Sequence, residues 1–156
     1  MAYQSRHICR LGITEKQLNQ WLFRRQVIPD VPSSGTGTPN EYSLANACQV
    51  ELFKRLADKG LRRSEASRIA FSPEVKQHFE QQLEWGLNVL LRMRRNIPPD
   101  VLMVAMQPTK RKSMIKFVTN ESELGRLFPQ MAKSARTVVE NLGEIAYVVR
   151  RLLEAS

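Results

Sequence analysis

Lys16, Asn19 and Gln20 stand three and four positions apart, the spacing that places side chains on one face of a helix. The chemistry open to them is the reading of a polar edge. Asn and Gln amides pair bidentately with adenine in the major groove, and Lys16 is expected to read bases beside them. The alternative for such exposed groups is plain solvation, since many polar residues facing a groove touch only phosphate. Around them Thr14, Gln17, Arg24, Asn40 and Tyr42 offer hydroxyl, amide and guanidinium groups suited to positioning a domain on a phosphate backbone. Arg25, Arg62 and Arg63 add cations that either grip phosphates or are ordinary solvated helix ends.

Other chemistries find little in the chain. His7 and His78 are isolated, and Cys9 and Cys48 sit among apolar neighbours, which suits core thiols better than metal ligands. Glu121 and Glu123 fit the first turn of a helix, where acids favour the dipole. No phosphate-cradling glycine loop, nucleophile–base pair or paired carboxylate stands out. The expectation is a non-enzyme with no metal and no cofactor.

The elements that must hold the base-reading face are legible on either side of it. Thr14 is a suitable N-cap for a helix over 14–24, with Leu18, Trp21 and Leu22 on its apolar face; Trp21 is read as core packing. A tight turn, Leu11-Gly12-Ile13-Thr14, precedes it. The stretch 30–40 holds Pro32, Gly35, Gly37 and Pro39 among Ser and Thr, which is loop chemistry. The flanking Val27-Ile28 and Tyr42 are expected to pair as a small hairpin. Ser43 caps a second helix with core positions Ala47, Val50, Phe53, Leu56 and Ala57, stopped by Gly60. A short helix over 63–70 buries Ala66 and Ile69. Turn, groove helix and a hairpin wing over 30–42 are the parts of a winged helix, in order.

With these residues in place, the chain resembles the winged-helix domain of the MerR family of transcription regulators over about residues 7–71. Gly12, Ile13, Thr14, Leu18 and Trp21 match one family pattern in register. Tyr42, Ser43, Ala47, Val50, Phe53, Leu56, Gly60 and Leu61 match a second without a gap. The resemblance implies duplex DNA binding by a dimer with a helical seam in its second half. The chain departs from the pattern at Asn40, where the family usually has Arg, at Asn19-Gln20, usually Arg-Tyr, and at Arg25, usually Gly. The family's usual operator sequence is therefore not expected.

The second half, 73–156, reads as a small α+β domain. A helix opens at Pro73-Glu74, buries Val75, Phe79, Leu83, Leu87 and Leu90, and runs to about residue 95 before Pro98-Pro99. Two strands over 101–107 and 114–118 flank a basic turn, Thr109-Lys110-Arg111-Lys112, which is a soluble hairpin tip or a second DNA contact. A helix capped by Thr119 or Asn120 reaches Pro129. A long final helix over 130–153 carries a heptad seam of Ala135, Val138, Leu142, Ile145, Val149 and Leu152. Val138, Leu142, Ile145, Val149 and Leu152 are the expected dimer contacts. The seam can also pack on the 74–95 helix of its own chain, although the resemblance favours pairing with a second copy.

Bulk composition agrees with a polyanionic partner. Lys and Arg total 24 against 15 Asp and Glu, a net charge of +9, and such an excess favours nucleic acid or an acidic membrane surface. No apolar run approaches the roughly 20 residues of a membrane span, and Met1 to Arg10 lacks the basic flank and apolar run of a secretory signal, so secretion is not expected. Two apolar-flanked thiols fit a reducing cytoplasm. The fold class expected is mainly α: a winged helix-turn-helix domain, 1–72, then an α+β domain, 73–156, with one β-hairpin and a long C-terminal helix. The expected function is sequence-specific duplex DNA binding by a cytoplasmic homodimeric transcription regulator. An accessory role in phage or mobile-element DNA, or a protein-interaction adaptor that binds no DNA, stands beside it. For a small-molecule effector the sequence names no pocket residue.

Overall fold

A computed structural model describes residues 1–35, 37–91, 101–108 and 111–155, with backbone alone for 85–91. A two-residue strand, β1 (Tyr3–Gln4), leads into α1 (Ser5–Ile8) and a 3-10 turn at Cys9–Leu11. Gly12 ends that turn at φ 75°, a left-handed conformation that a β-carbon resists. Thr14 then caps α2 (Glu15–Phe23). At the far end Arg25 adopts φ 53°. Its N–H donates to Leu22 O at 3.0 Å and the Gln26 N–H donates to Trp21 O at 2.8 Å, the paired bonds of a Schellman stop.

β2 (Glu41–Tyr42) pairs antiparallel with β1, Tyr3 opposite Tyr42. This corrects the expected pairing of Val27-Ile28 with Tyr42. The loop closes instead through one bridge between Val31 and Glu41. Residues 27 and 28 lie between the left-handed Arg25 and Pro29, which has no N–H to give a ladder. The Ile28 carbonyl accepts a bond from Asn46 Nδ2 at 3.0 Å.

Ser43 caps α3 (Leu44–Asp58), its Oγ accepting the Asn46 N–H at 3.1 Å. The sequence marks one apolar face on this helix, yet every residue over 45–53 is buried, as befits a helix surrounded by others. The polar residues caught there are bonded: Gln49 Nε2 donates to Ala70 O at 2.9 Å, and Glu51 pairs with Lys54 and Arg55. Gly60, at φ 89°, ends the helix with a second Schellman pair to Ala57 and Leu56. α4 (Arg63–Ala70) buries Ala66 and Ile69, and α5 (Pro73–Leu91) buries Val75, Phe79 and Leu83. The expected burial of Leu87 and Leu90, the helix end near 95 and the Pro98-Pro99 stop lie outside the described residues.

β3 (Leu102–Gln107), β4 (Met114–Val118) and β5 (Arg136–Asn141) form an antiparallel sheet in the order β4–β3–β5. α6 (Glu121–Ala132) covers one face, where Leu124, Leu127 and Met131 pack on Val104, Met106 and Val118. Asn120 caps it, Oδ1 accepting the Glu123 N–H at 2.9 Å. The helix runs past Pro129, its expected end, to Ala132. Pro129 is exposed, so water can meet the carbonyl it deprives of a partner. On the other face Met103, Ala105 and Val138 enter the main core beneath α7 (Leu142–Glu154).

The expected helix over 130–153 is therefore three elements: the end of α6, strand β5 and helix α7. Thr137, Val138 and Val139 are β-branched and sit well in a strand. Val138 faces the main core while Val139 faces α6, an alternation of period two that mimics a helical seam in sequence. Helix still dominates the chain, and β3 and β4 make the expected hairpin, joined by a third strand. α7 packs on α3 and α5, and one core of buried residues runs from Tyr3 to Leu153.

Candidate nucleic-acid interface

The outer face of α2 is fixed by what its inner face does. Leu18 is fully buried, and Trp21 meets Phe53 of α3 edge-on at a centroid distance of 5.1 Å. Lys16, Asn19, Gln20 and Phe23 are left exposed along the i, i+3, i+4, i+7 line of the opposite side. Phe23 is 88% exposed, so an aromatic ring stands in the same stripe as the amides and gains nothing from the core. Gln17 and Arg24 lie beside that stripe, also exposed. Among the described residues Lys16, Arg24 and Arg25 have no ion-pair partner, whereas Glu51 of α3 and Glu140 of β5 are paired.

The entry to α2 is held from a distance. Lys54 of α3 donates from Nζ to the Leu11 carbonyl at 2.5 Å and pairs with Glu51 at 2.9 Å. This cation fastens the turn before Thr14 to the central helix. Nothing in the local sequence marks Lys54 for that role, because its partner lies far back along the chain.

The loop beside α2 is closed in the same way. Asn40 Oδ1 accepts the Ser33 N–H at 2.8 Å inside the Val31–Glu41 bridge. At the root, Asp30 accepts the Ser43 N–H at 2.7 Å and pairs with Lys76 of α5 at 2.7 Å. Burial alone would raise the Asp30 carboxyl, but Lys76 and Ser43 outweigh it and hold it below the usual carboxylate range.

The structure thus brings Thr14, Lys16, Gln17, Asn19, Gln20 and Arg24 to one surface. It does not bring Tyr42 there: that side chain is fully buried, a correction to its expected backbone contact, because pairing with Tyr3 turns the ring inward. Asn40 is half-buried, and its carbonyl oxygen closes the loop. The expected dimer contacts are also corrected. Val138, Leu142, Ile145 and Val149 are buried within the chain, and only Leu152 is exposed.

The isolated titratable residues have structural places. His7 Nδ1 accepts the Gln4 N–H at 3.0 Å, and His78 packs on Phe117 at 4.1 Å between centroids. Cys9 and Cys48 are free thiols, and burial pushes both up. Among the described residues no group of three His, Cys, Asp or Glu could hold a metal ion, and no helix is long and apolar enough to cross a membrane. No protein-family model matches the chain, and no curated protein matches it.

Proposed function

We propose that the chain is a winged-helix protein that binds duplex DNA in a sequence-specific way through α2 and regulates transcription. The observation that carries this reading is the exposed stripe Lys16, Asn19, Gln20 and Phe23 on a helix whose other side is locked to α3. A groove-reading helix needs a polar, unpaired outer face held rigidly by its inner face. Lys16, Asn19 and Gln20 reach base edges in this reading, and Phe23 suits the thymine methyl. Arg24 and Arg25 take phosphates beside them. The bridged loop over 31–41 serves as the wing.

Residues 1–72 carry recognition. A single such helix covers a short half-site, so two copies on one operator remain part of the proposal. In this proposal the two copies meet on a face other than the one carrying Leu142, Ile145 and Val149, which are buried within the chain. The net charge of +9 supplies the long-range attraction.

The test is selection of bound fragments from a random duplex pool, followed by affinity measured against salt. The expected outcome is an enriched motif and an affinity that falls steeply between about 50 and 200 mM salt, as counterion release requires. Absence of any selected duplex, or an affinity indifferent to salt, overturns the reading.

A further inference from the structure

A second basic surface lies away from α2, where three segments distant in sequence meet. Arg62 precedes α4, Arg111 and Lys112 belong to the β3–β4 turn, and Arg136 opens β5. Arg62, Arg111 and Lys112 line a cavity of about 340 Å³ together with Ser64 and Gln107. A neighbouring cavity of about 240 Å³ shares Arg62 and Gln107 with it and adds Arg136.

The charge here is uncompensated. Glu65 is the acid in the lining, and it is already engaged: Arg68 donates to it at 2.6 and 3.1 Å, and the Ser113 N–H at 2.7 Å. Among the described residues Arg62, Arg111 and Lys112 have no ion-pair partner. Arg136 donates one Nη1 bond to the Gly60 carbonyl, a neutral partner. Cations gathered around one concavity repel one another unless an anion sits between them. Arginine forks fit phosphate oxygens in particular. The volume suits a small ligand and not the long track of a duplex, and the Ser64 hydroxyl and Gln107 amide add neutral donors.

We propose that this groove binds a small molecule bearing a diphosphate or triphosphate group, with Arg62, Arg111 and Lys112 on the phosphates and Arg136 at the shared edge. The proposal stands independently of DNA recognition by α2, and its test contains no DNA in the first arm.

Titration calorimetry of the full chain with pyrophosphate, and separately with ATP, is the measurement. Wild type should bind one equivalent saturably. Arg62→Ala and Lys112→Ala should each weaken binding about tenfold, the scale of one lost charge-assisted bond, while Arg62→Lys recovers part of the loss. Arg126→Ala, which removes an exposed cation on α6, should change nothing. The substituted side chains are exposed, and circular dichroism checks that each variant is folded. No saturable binding at millimolar probe overturns the proposal. So does equal weakening by Arg126→Ala, which would mean diffuse charge. A second arm measures duplex DNA: if the groove variants weaken DNA binding and wild type ignores both probes, the groove is a backbone grip and the small-ligand proposal fails.

Discussion

The side-chain carbonyl of Gln17 accepts two hydrogen bonds from Thr14, from the backbone N–H at 3.0 Å and from Oγ1 at 2.9 Å. The Thr14 hydroxyl oxygen in turn accepts the Gln17 N–H at 3.2 Å. This capping box satisfies the first amides of α2 and fixes where the helix begins. Thr14→Ala should therefore cost about 1 kcal/mol in denaturant unfolding, and Thr14→Ser should restore it. DNA affinity should follow stability across this pair. Full stability in Thr14→Ala with lost DNA binding would instead make Thr14 a contact.

Readout on α2 divides by position. Asn19→Ala and Gln20→Ala each remove an exposed amide from the stripe, so each should relax preference at one or two base positions, at about 1–3 kcal/mol of discrimination per bidentate pair. Arg24→Ala should weaken binding to every sequence alike and reduce the salt slope by about one. A wild-type selection profile from both amide variants would place base reading elsewhere.

Arg25 occupies a left-handed position, φ 53°, at the C-terminal stop of α2. A β-branched or long side chain there is strained relative to glycine. Arg25→Gly should raise the unfolding free energy by about 0.5–1 kcal/mol after the added freedom of the unfolded chain is counted. The same change removes a cation beside the wing, so DNA affinity should fall while stability rises. Opposite signs in the two measurements separate this effect from damage to the fold.

The parts of the fold that local pattern could show were those set by local chemistry. Thr14, Ser43, Asn120 and Gly60 mark helix ends because capping acts within a few residues, and Leu18, Trp21, Ala66 and Ile69 mark inner faces by spacing. Tyr42 misled because a sequence pattern carries no strand partner: its pairing with Tyr3 is a long-range event. Val138 misled for another reason. A strand followed directly by a helix, Asn141 capping the latter with Oδ1 on the Glu144 N–H at 3.0 Å, can keep apolar residues at steps of three and four across the junction. At the candidate interface the exposed stripe was legible, whereas Lys54 and Asp30 act on residues far away in the chain and left no local sign.

Glu65 should shape the acid limb of stability. The Arg68 guanidinium and then the Ser113 N–H hold its carboxyl at about 2, below the ordinary 4.5. A folded-state value below the unfolded one contributes stability that is fully present above the ordinary carboxylate range and is lost as pH falls toward about 2. Glu65→Gln should thus destabilise by about 1 kcal/mol near neutral pH, a figure reduced for the partly exposed Arg68. The gap to wild type should close as unfolding is followed from pH 5 down to roughly 2. A gap independent of pH would assign the effect to packing.

Leu142 and Ile145 decide whether α7 is core or interface. Both are fully buried among residues of the same chain, and α7 lies against α3 and α5. Leu142→Ala and Ile145→Ala should each cost about 2–5 kcal/mol, the range for large-to-small changes in a packed core. The double change to Glu should unfold the chain, since two carboxylates would enter an apolar interior without partners. Tyr147 is 65% exposed on the same helix, so Tyr147→Glu should leave stability within about 0.5 kcal/mol. Solution mass by light scattering, read beside circular dichroism, separates the two possibilities. If the Glu double variant stays helical and halves in mass, α7 is a subunit interface and its placement in the core is wrong. If it loses helical signal at all concentrations, the copies of any dimer meet on another face, and a search for that face begins with the exposed Tyr147 and Leu152.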